Sequence, residues 1–191
     1  MAQTSQDVAN EALVDVGWNK VQVTGFAPTF DNTTVGLILQ RIYQPCVAAV
    51  LRQYPWECGK QIGLLLTPSA NVVGPTPFLF EYLYPPNCVQ FLQLMPSAII
   101  DPNDPLPQFW NVGNSQVASV MTKVIWTNVP NARGAYTIYP TEAIWDAGLR
   151  EAVVKRLGRD LAFALSKPET ASVLSEEAMQ ELAMGVARGD G

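Results

Sequence analysis

The chain has 191 residues, 48% hydrophobic and 15% charged, with a formal net charge of -5 and no histidine. That balance excludes a grip on nucleic acid by phosphate neutralisation, which needs clustered lysine and arginine, though it leaves DNA free to slide past. The missing histidine removes Ser-His-Asp and Cys-His catalysis, histidine metal ligation and histidine pH switching together.

The length suits one domain with an inserted subregion, and residues 1–191 read as a single domain. Cys46, Cys58 and Cys88 are odd in number and set in apolar contexts, so they read as buried thiols rather than a disulfide framework or zinc site. The polar, acidic start Met1–Asp7 has no basic segment leading into an apolar run. No apolar stretch reaches the ~20 residues of a membrane span, and synthesis in a cytoplasm is expected.

In chain order, a first helix is predicted over about 4–16, capped by Thr4 with Asp7 reaching back and ended by Gly17. A second, about 33–54, buries Val35, Leu39, Ile42, Cys46 and Val50 at spacings of three and four, and Pro45 should kink or divide it. A β-rich insertion follows over about 61–139, with strands at 62–66, 78–84, 89–95, 109–112, 123–127 and 135–139. Within it, Gln61–Thr122 holds no lysine or arginine and only three acids, Glu81, Asp101 and Asp104. Such a stretch is expected to face other protein subunits. Proline-rich residues 96–107 read as a loop that a hairpin carries away from the body.

A third helix is predicted over about 142–165, capped by Thr141, with Trp145, Leu149, Val153, Leu157 and Leu161 down one face. Gly148 and Gly158 inside it should mark close approach of a neighbouring helix. A fourth, about 168–186, carries the stripe Ala171, Leu174, Ala178 and Leu182 and further apolar residues towards its end. The fold expected is α+β and mainly helical: a four-helix bundle-like body with an inserted, proline-rich antiparallel β region and a projecting loop.

No phosphate-cradling glycine loop is present, and no cofactor or metal is expected. Glu142 and Asp146 lie four apart, but acids in a first helical turn answer the helix dipole. Lys155, Arg156 and Arg159 form the densest basic cluster. It reads as a solvated face paired as Glu151–Lys155 and Arg156–Asp160, with a subunit or DNA contact as the rival reading. The five tryptophans are spread out as core and interface anchors rather than interleaved with basic residues as a base-stacking platform.

Two junctions carry a resemblance. The first is Leu51-Arg52-Gln53-Tyr54-Pro55-Trp56 at the end of the second helix. The second is Tyr82-Leu83-Tyr84-Pro85-Pro86-Asn87-Cys88-Val89 between two strands. With Ala135–Tyr139 and the helix opening at Trp145-Asp146, the chain resembles the head-to-tail adaptor proteins of short-tailed phages, also called tail tubular protein A or head-completion proteins. Tyr54, Pro55, Trp56, Tyr84, Pro85, Cys88 and Trp145 are then the structural anchors of that architecture. Pro45 and the proline-rich 96–107 segment depart from the family pattern.

The resemblance implies a virion protein at the head-tail junction, made in the host bacterial cytoplasm. It forms a homo-oligomeric ring of twelve copies between portal and tail nozzle, sealing the joint and conducting DNA non-specifically through its lumen. It also implies that Leu182, Ala183, Met184, Val186 and Arg188 meet the portal, and that no membrane is involved. The alternatives are a carboxylate-dependent peptidoglycan hydrolase of the phage particle, for which scattered acids speak, and a monomeric binding module.

Overall fold

Thr4 and Asp7 close a reciprocal cap on α1 (Ser5–Asp15). The Thr4 hydroxyl accepts from the Asp7 amide at 3.3 Å, and the Asp7 carboxylate accepts from the Thr4 amide at 2.9 Å. Two donors orphaned at a helix start are thereby satisfied. Gly17, at φ +69°, ends the helix as expected, with its own amide donating to Val14 and that of Trp18 to Leu13.

The computed structural model describes residues 3–18, 22–71, 73–96, 109–165, 176, 177 and 180. The chain divides into two compact units, Met1–Gly59 with Tyr139–Gly191, and Lys60–Ile138.

In the first unit a hairpin of two-residue strands, β1 (Gly25–Phe26) and β2 (Thr29–Phe30), leads into α2 (Thr34–Gln53). Strands this short carry no periodicity, so the sequence reading has no element there. The helix α2 is continuous through Pro45 rather than divided. Pro45 and Arg41 both lie on its exposed side, so water can meet the Arg41 carbonyl that proline leaves without a donor. At 20 residues and mean hydropathy 1.3, α2 is long and apolar enough by length and composition to cross a membrane, which corrects the expectation above; half of it is buried inside the protein.

The third helix starts later than expected. Glu142–Ile144 form a single 3-10 turn, Trp145 is extended, and Asp146 caps α3 (Ala147–Ala164) by accepting from the Leu149 amide at 2.7 Å. Thr141 makes no side-chain cap bond. Both residues suit a cap, and aspartate wins because Trp145 is pinned outside the helix, its indole N–H donating to the Pro140 carbonyl at 3.1 Å. α3 packs on α1 and α2; its Leu149, Val153, Leu157 and Leu161 are fully buried, as are Val8 and Ala12 of α1 and Leu39 and Val50 of α2. Of the fourth helix expected at 168–186, Glu176, Glu177 and Gln180 are described and helical; the rest lies outside the described residues.

The second unit holds six strands: β3 (Lys60–Leu65), β4 (Phe80–Leu83), β5 (Cys88–Met95), β6 (Trp110–Val117), β7 (Val120–Thr127) and β8 (Arg133–Ile138). They form two antiparallel three-stranded sheets, ordered β3-β8-β5 and β4-β7-β6. Leu66, Phe91, Leu94 and Tyr136 meet Tyr82, Ile125 and Val129 in one core, so the unit is a sandwich with its own interior. An aromatic ring covers one glycine in each sheet. A Cβ on Gly113 would stand 2.3 Å from the Trp126 ring, and one on Gly134 would stand 2.7 Å from Phe91.

The mainly helical, four-helix bundle-like expectation is therefore corrected. Among the described residues three helices are balanced by two three-stranded sheets, an α+β fold. The shortfall lay in the β6–β7 hairpin, which runs on through polar Asn114, Ser115 and Gln116 to a turn at Ala118-Ser119, both at positive φ. The proline-rich loop is not carried by a hairpin either, because β5 pairs with β8 and β6 with β7 in different sheets. Residues 97–108 themselves lie outside the described residues.

Candidate functional site

The anchor residues punctuate the fold by simple mechanics. Tyr54, placed before a proline, adopts φ -146° and ψ 142° and stops α2. Trp56 turns back into the first unit, buried, with its indole N–H donating to Val50 O at 3.2 Å and its ring edge-on to Tyr54 at 5.0 Å. Gly148 faces that ring rather than a neighbouring helix, and a Cβ there would meet Trp56 at 3.4 Å, an ordinary contact. In the second unit Tyr84-Pro85-Pro86-Asn87 reverses the chain between sheets, with Asn87 at φ 60° and the Cys88 amide donating to Pro85 O at 3.3 Å. Lys123 sits over the Tyr84 ring at 3.7 Å.

The cysteines are free, with Cys46 buried and Cys58 and Cys88 half-buried, so only the first meets the buried expectation. Burial pushes the Cys46 thiol up to about 12 and raises the other two, which keeps all three protonated near neutrality. Among the described residues no three His, Cys, Asp or Glu side chains come together as a metal site requires.

A cleft of about 460 Å³ opens in the first unit among the start of α1, the β1–β2 turn, α2 and residues 139–145. Phe26, Val47 and Tyr139 line it, and Glu142 stands at its wall, accepting from the Tyr43 hydroxyl at 3.0 Å. Burial, then the facing carboxylate, raises the Tyr43 pKa, so the hydroxyl is a fixed donor. Glu142 thus serves Tyr43 and Asp146 serves the α3 amides; the dipole reading expected for both holds for the capping Asp146 and is corrected for Glu142. Among the described residues Glu142 is the one acid lining the cleft, and they supply no second carboxylate for glycoside hydrolysis there.

The basic cluster is wired differently from the i,i+4 pairs expected. Lys155 reaches Asp15 of α1 at 3.2 Å and Glu177 at 2.7 Å, contacts that raise its pKa, Glu177 foremost. Arg159 pairs with its neighbour Asp160 at 2.6 Å, and Arg150 with Glu11. The Arg156 Nε is buried without a hydrogen-bond partner among the described residues. Lys155 and Arg150 take partners on α1 because α1 and α3 lie side by side, while Arg159 keeps a partner on its own helix. Leu182, Ala183, Met184, Val186 and Arg188 lie outside the described residues.

The second unit's surface has a feature that the sequence only half revealed. Of the three acids in Gln61–Thr122, Glu81 is 3% exposed, and Asp101 and Asp104 fall outside the described residues. The described surface of this stretch therefore presents no charged side chain, while Ile62 (57%), Phe109 (65%) and Met121 (73%) stand out from it. No protein-family model matches the chain, and no curated protein matches it.

Proposed function

We propose that the chain is a structural subunit of the ring that joins portal to tail nozzle in a short-tailed phage, sealing the head-tail joint and leaving a conduit for DNA. The observation that carries the reading is the charge-free, apolar-studded surface of residues 61–96 and 109–122. A surface of that kind costs solubility unless neighbouring proteins cover it, and a closed ring covers two patches on every subunit. The net charge of -5 keeps a passing duplex from adhering. Support comes from the two junctions, since Tyr54–Trp56 ends a helix and Tyr84–Cys88 links two strands.

In this reading residues 182–188 reach the portal, and Lys155, Arg156 and Arg159 lie at a subunit or lumen contact. The experiment is to mix purified chain with portal rings and sediment them. Cosedimentation at one copy per portal subunit, with a twelve-fold ring in averaged electron micrographs and loss of binding on deletion after Glu181, is expected. Failure of the full chain to bind any portal or nozzle ring, or bond cleavage in a peptidoglycan clearing assay, would overturn it.

A further inference from the structure

The outer strands of the second unit differ in how their free edges are treated. The edge of β4 is strapped, with the Ser69 amide donating to Glu81 O at 2.9 Å and the Leu83 amide to Thr67 O at 2.8 Å. The edge strand β3 is bulged at Gly63, φ +73°, whose carbonyl accepts from Arg133 at 2.9 Å. Two register shifts interrupt β5. Such devices keep edges from pairing with other chains. The fourth outer strand, β6, has none of them: its register with β7 is unbroken from Trp110 to Val117, and Trp-Asn-Val-Gly-Asn-Ser-Gln-Val contains no charge and no proline.

Which backbone groups face outward follows from the pairing. In an antiparallel pair alternate residues bond the neighbour, and a two-residue turn is closed by a bonded pair, here Val117 with Val120. Odd-numbered residues of β6 therefore bond β7, and Trp110, Val112, Asn114 and Gln116 face outward. Two side-chain contacts agree with that parity. The Val112 amide donates to Asn111 Oδ1 at 2.8 Å, and the Gln116 carbonyl accepts from Asn71 Nδ2 at 3.1 Å. Between Val112 and Gln116 the outward groups without a partner among the described residues are then the Val112 carbonyl, the Asn114 amide and carbonyl, and the Gln116 amide.

We infer that β6 is a seam at which a second copy of this chain pairs, antiparallel about a twofold axis through Asn114. In that register Asn114 exchanges both backbone bonds with the second copy's Asn114, and each Gln116 amide donates to the other copy's Val112 carbonyl. Every open group between Val112 and Gln116 finds a mate. The two groups left opposite each other, the Val112 amide and the Gln116 carbonyl, are those the Asn111 and Asn71 side chains already satisfy. A second copy is the occupant because pairing needs another regular open edge, and among the outer strands described in the second unit only β6 is free of straps and register shifts. Exposed Met121, opposite Gln116 on β7, adds apolar surface beside the seam. A twofold contact does not repeat around a head-to-tail ring, so the pair belongs to the free chain and shields the edge before assembly.

The test is sedimentation equilibrium of the full chain over a concentration series, with Asn114→Lys and Asn114→Glu. Asn114 is exposed on the edge, so either substitution leaves the fold intact, but in the paired state it sets like charges directly opposite each other. Wild-type mass should rise from 20.9 kDa towards twice that value with concentration. Each variant should stay at the monomer mass, and an equimolar mixture of the two should dimerise again, which a misfolded chain cannot do. A wild-type chain that stays monomeric throughout, an assembly indifferent to Asn114→Lys, or a mixture that stays monomeric would each sink the inference.

Discussion

Glu81 holds its charge almost without solvent. Burial by itself would raise its pKa, but the hydrogen bonds from Ser69, Trp126, Ser115 and Asn71 together outweigh burial and hold the carboxyl below its usual range. The closest are Ser69 Oγ at 2.6 Å, Trp126 Nε1 at 2.9 Å and Asn71 Nδ2 at 3.1 Å, each donating to a carboxylate oxygen. The carboxylate thus ties the 69–71 strap across β4 to β7. Glu81→Gln keeps the shape but sets an amide N–H₂ among donors, and should lower stability by about 2–3 kcal/mol at pH 7. Because the folded pKa is depressed, the ionised group's contribution is complete above the unfolded value of about 4.3 and fades as pH falls through the folded value. Urea unfolding of both proteins from pH 7 downward should show the gap holding to about pH 5 and closing in acid. A gap that persisted unchanged into strong acid would mean the loss is one of packing.

The element scale shows what local pattern can and cannot specify. α1 and the end of α2 were legible because caps and prolines act within four residues: Thr4 with Asp7, Gly17, and Tyr54 before Pro55. The start of α3 was not, since Thr141 and Asp146 are both competent caps and only the anchoring of Trp145 selects the second. β6 was read short because Asn114–Gln116 lack apolar alternation and Ala118-Ser119 lacks the Asn-Gly signature of a tight hairpin. The cleft and the open edge were illegible for another reason. Tyr43 and Glu142 are 99 residues apart, and no local pattern states which edge of a sheet stays unpaired. Pro45 offers a direct check. Its position in α2 is exposed and helical, so Pro45→Ala restores an amide to Arg41 and should raise stability by about 2 kcal/mol, the helix penalty of proline less its entropic benefit in the unfolded chain. Thermal melting measures it; an unchanged or lower midpoint would show that α2 is shaped by the proline for a packing purpose.

At the scale of the whole molecule, the second unit enters and leaves at one point. Its first strand, β3, and its last, β8, are antiparallel neighbours, and Lys60 pairs in register with Thr137. Cα atoms paired this way lie about 4.5–5.5 Å apart, so the chain leaves the first unit at Gly59 and returns at Tyr139 across a gap that a few residues can bridge. Each unit also has its own interior, Leu13, Leu39, Leu149 and Leu157 in one and Phe91, Tyr82, Ile125 and Tyr136 in the other. A domain inserted at adjacent ends need not fold together with its host. Residues 60–138 expressed alone should therefore give a cooperative urea transition. The remainder, joined from Gly59 to Tyr139 by a short glycine-serine link, should give another. Near-ultraviolet circular dichroism reports each separately, through Trp110 and Trp126 in the first piece and Trp18, Trp56 and Trp145 in the second. If the sandwich folds while the helical piece does not, α2 and α3 depend on the insertion for their register. If neither folds, the two interiors are one cooperative unit and the division is geometric only.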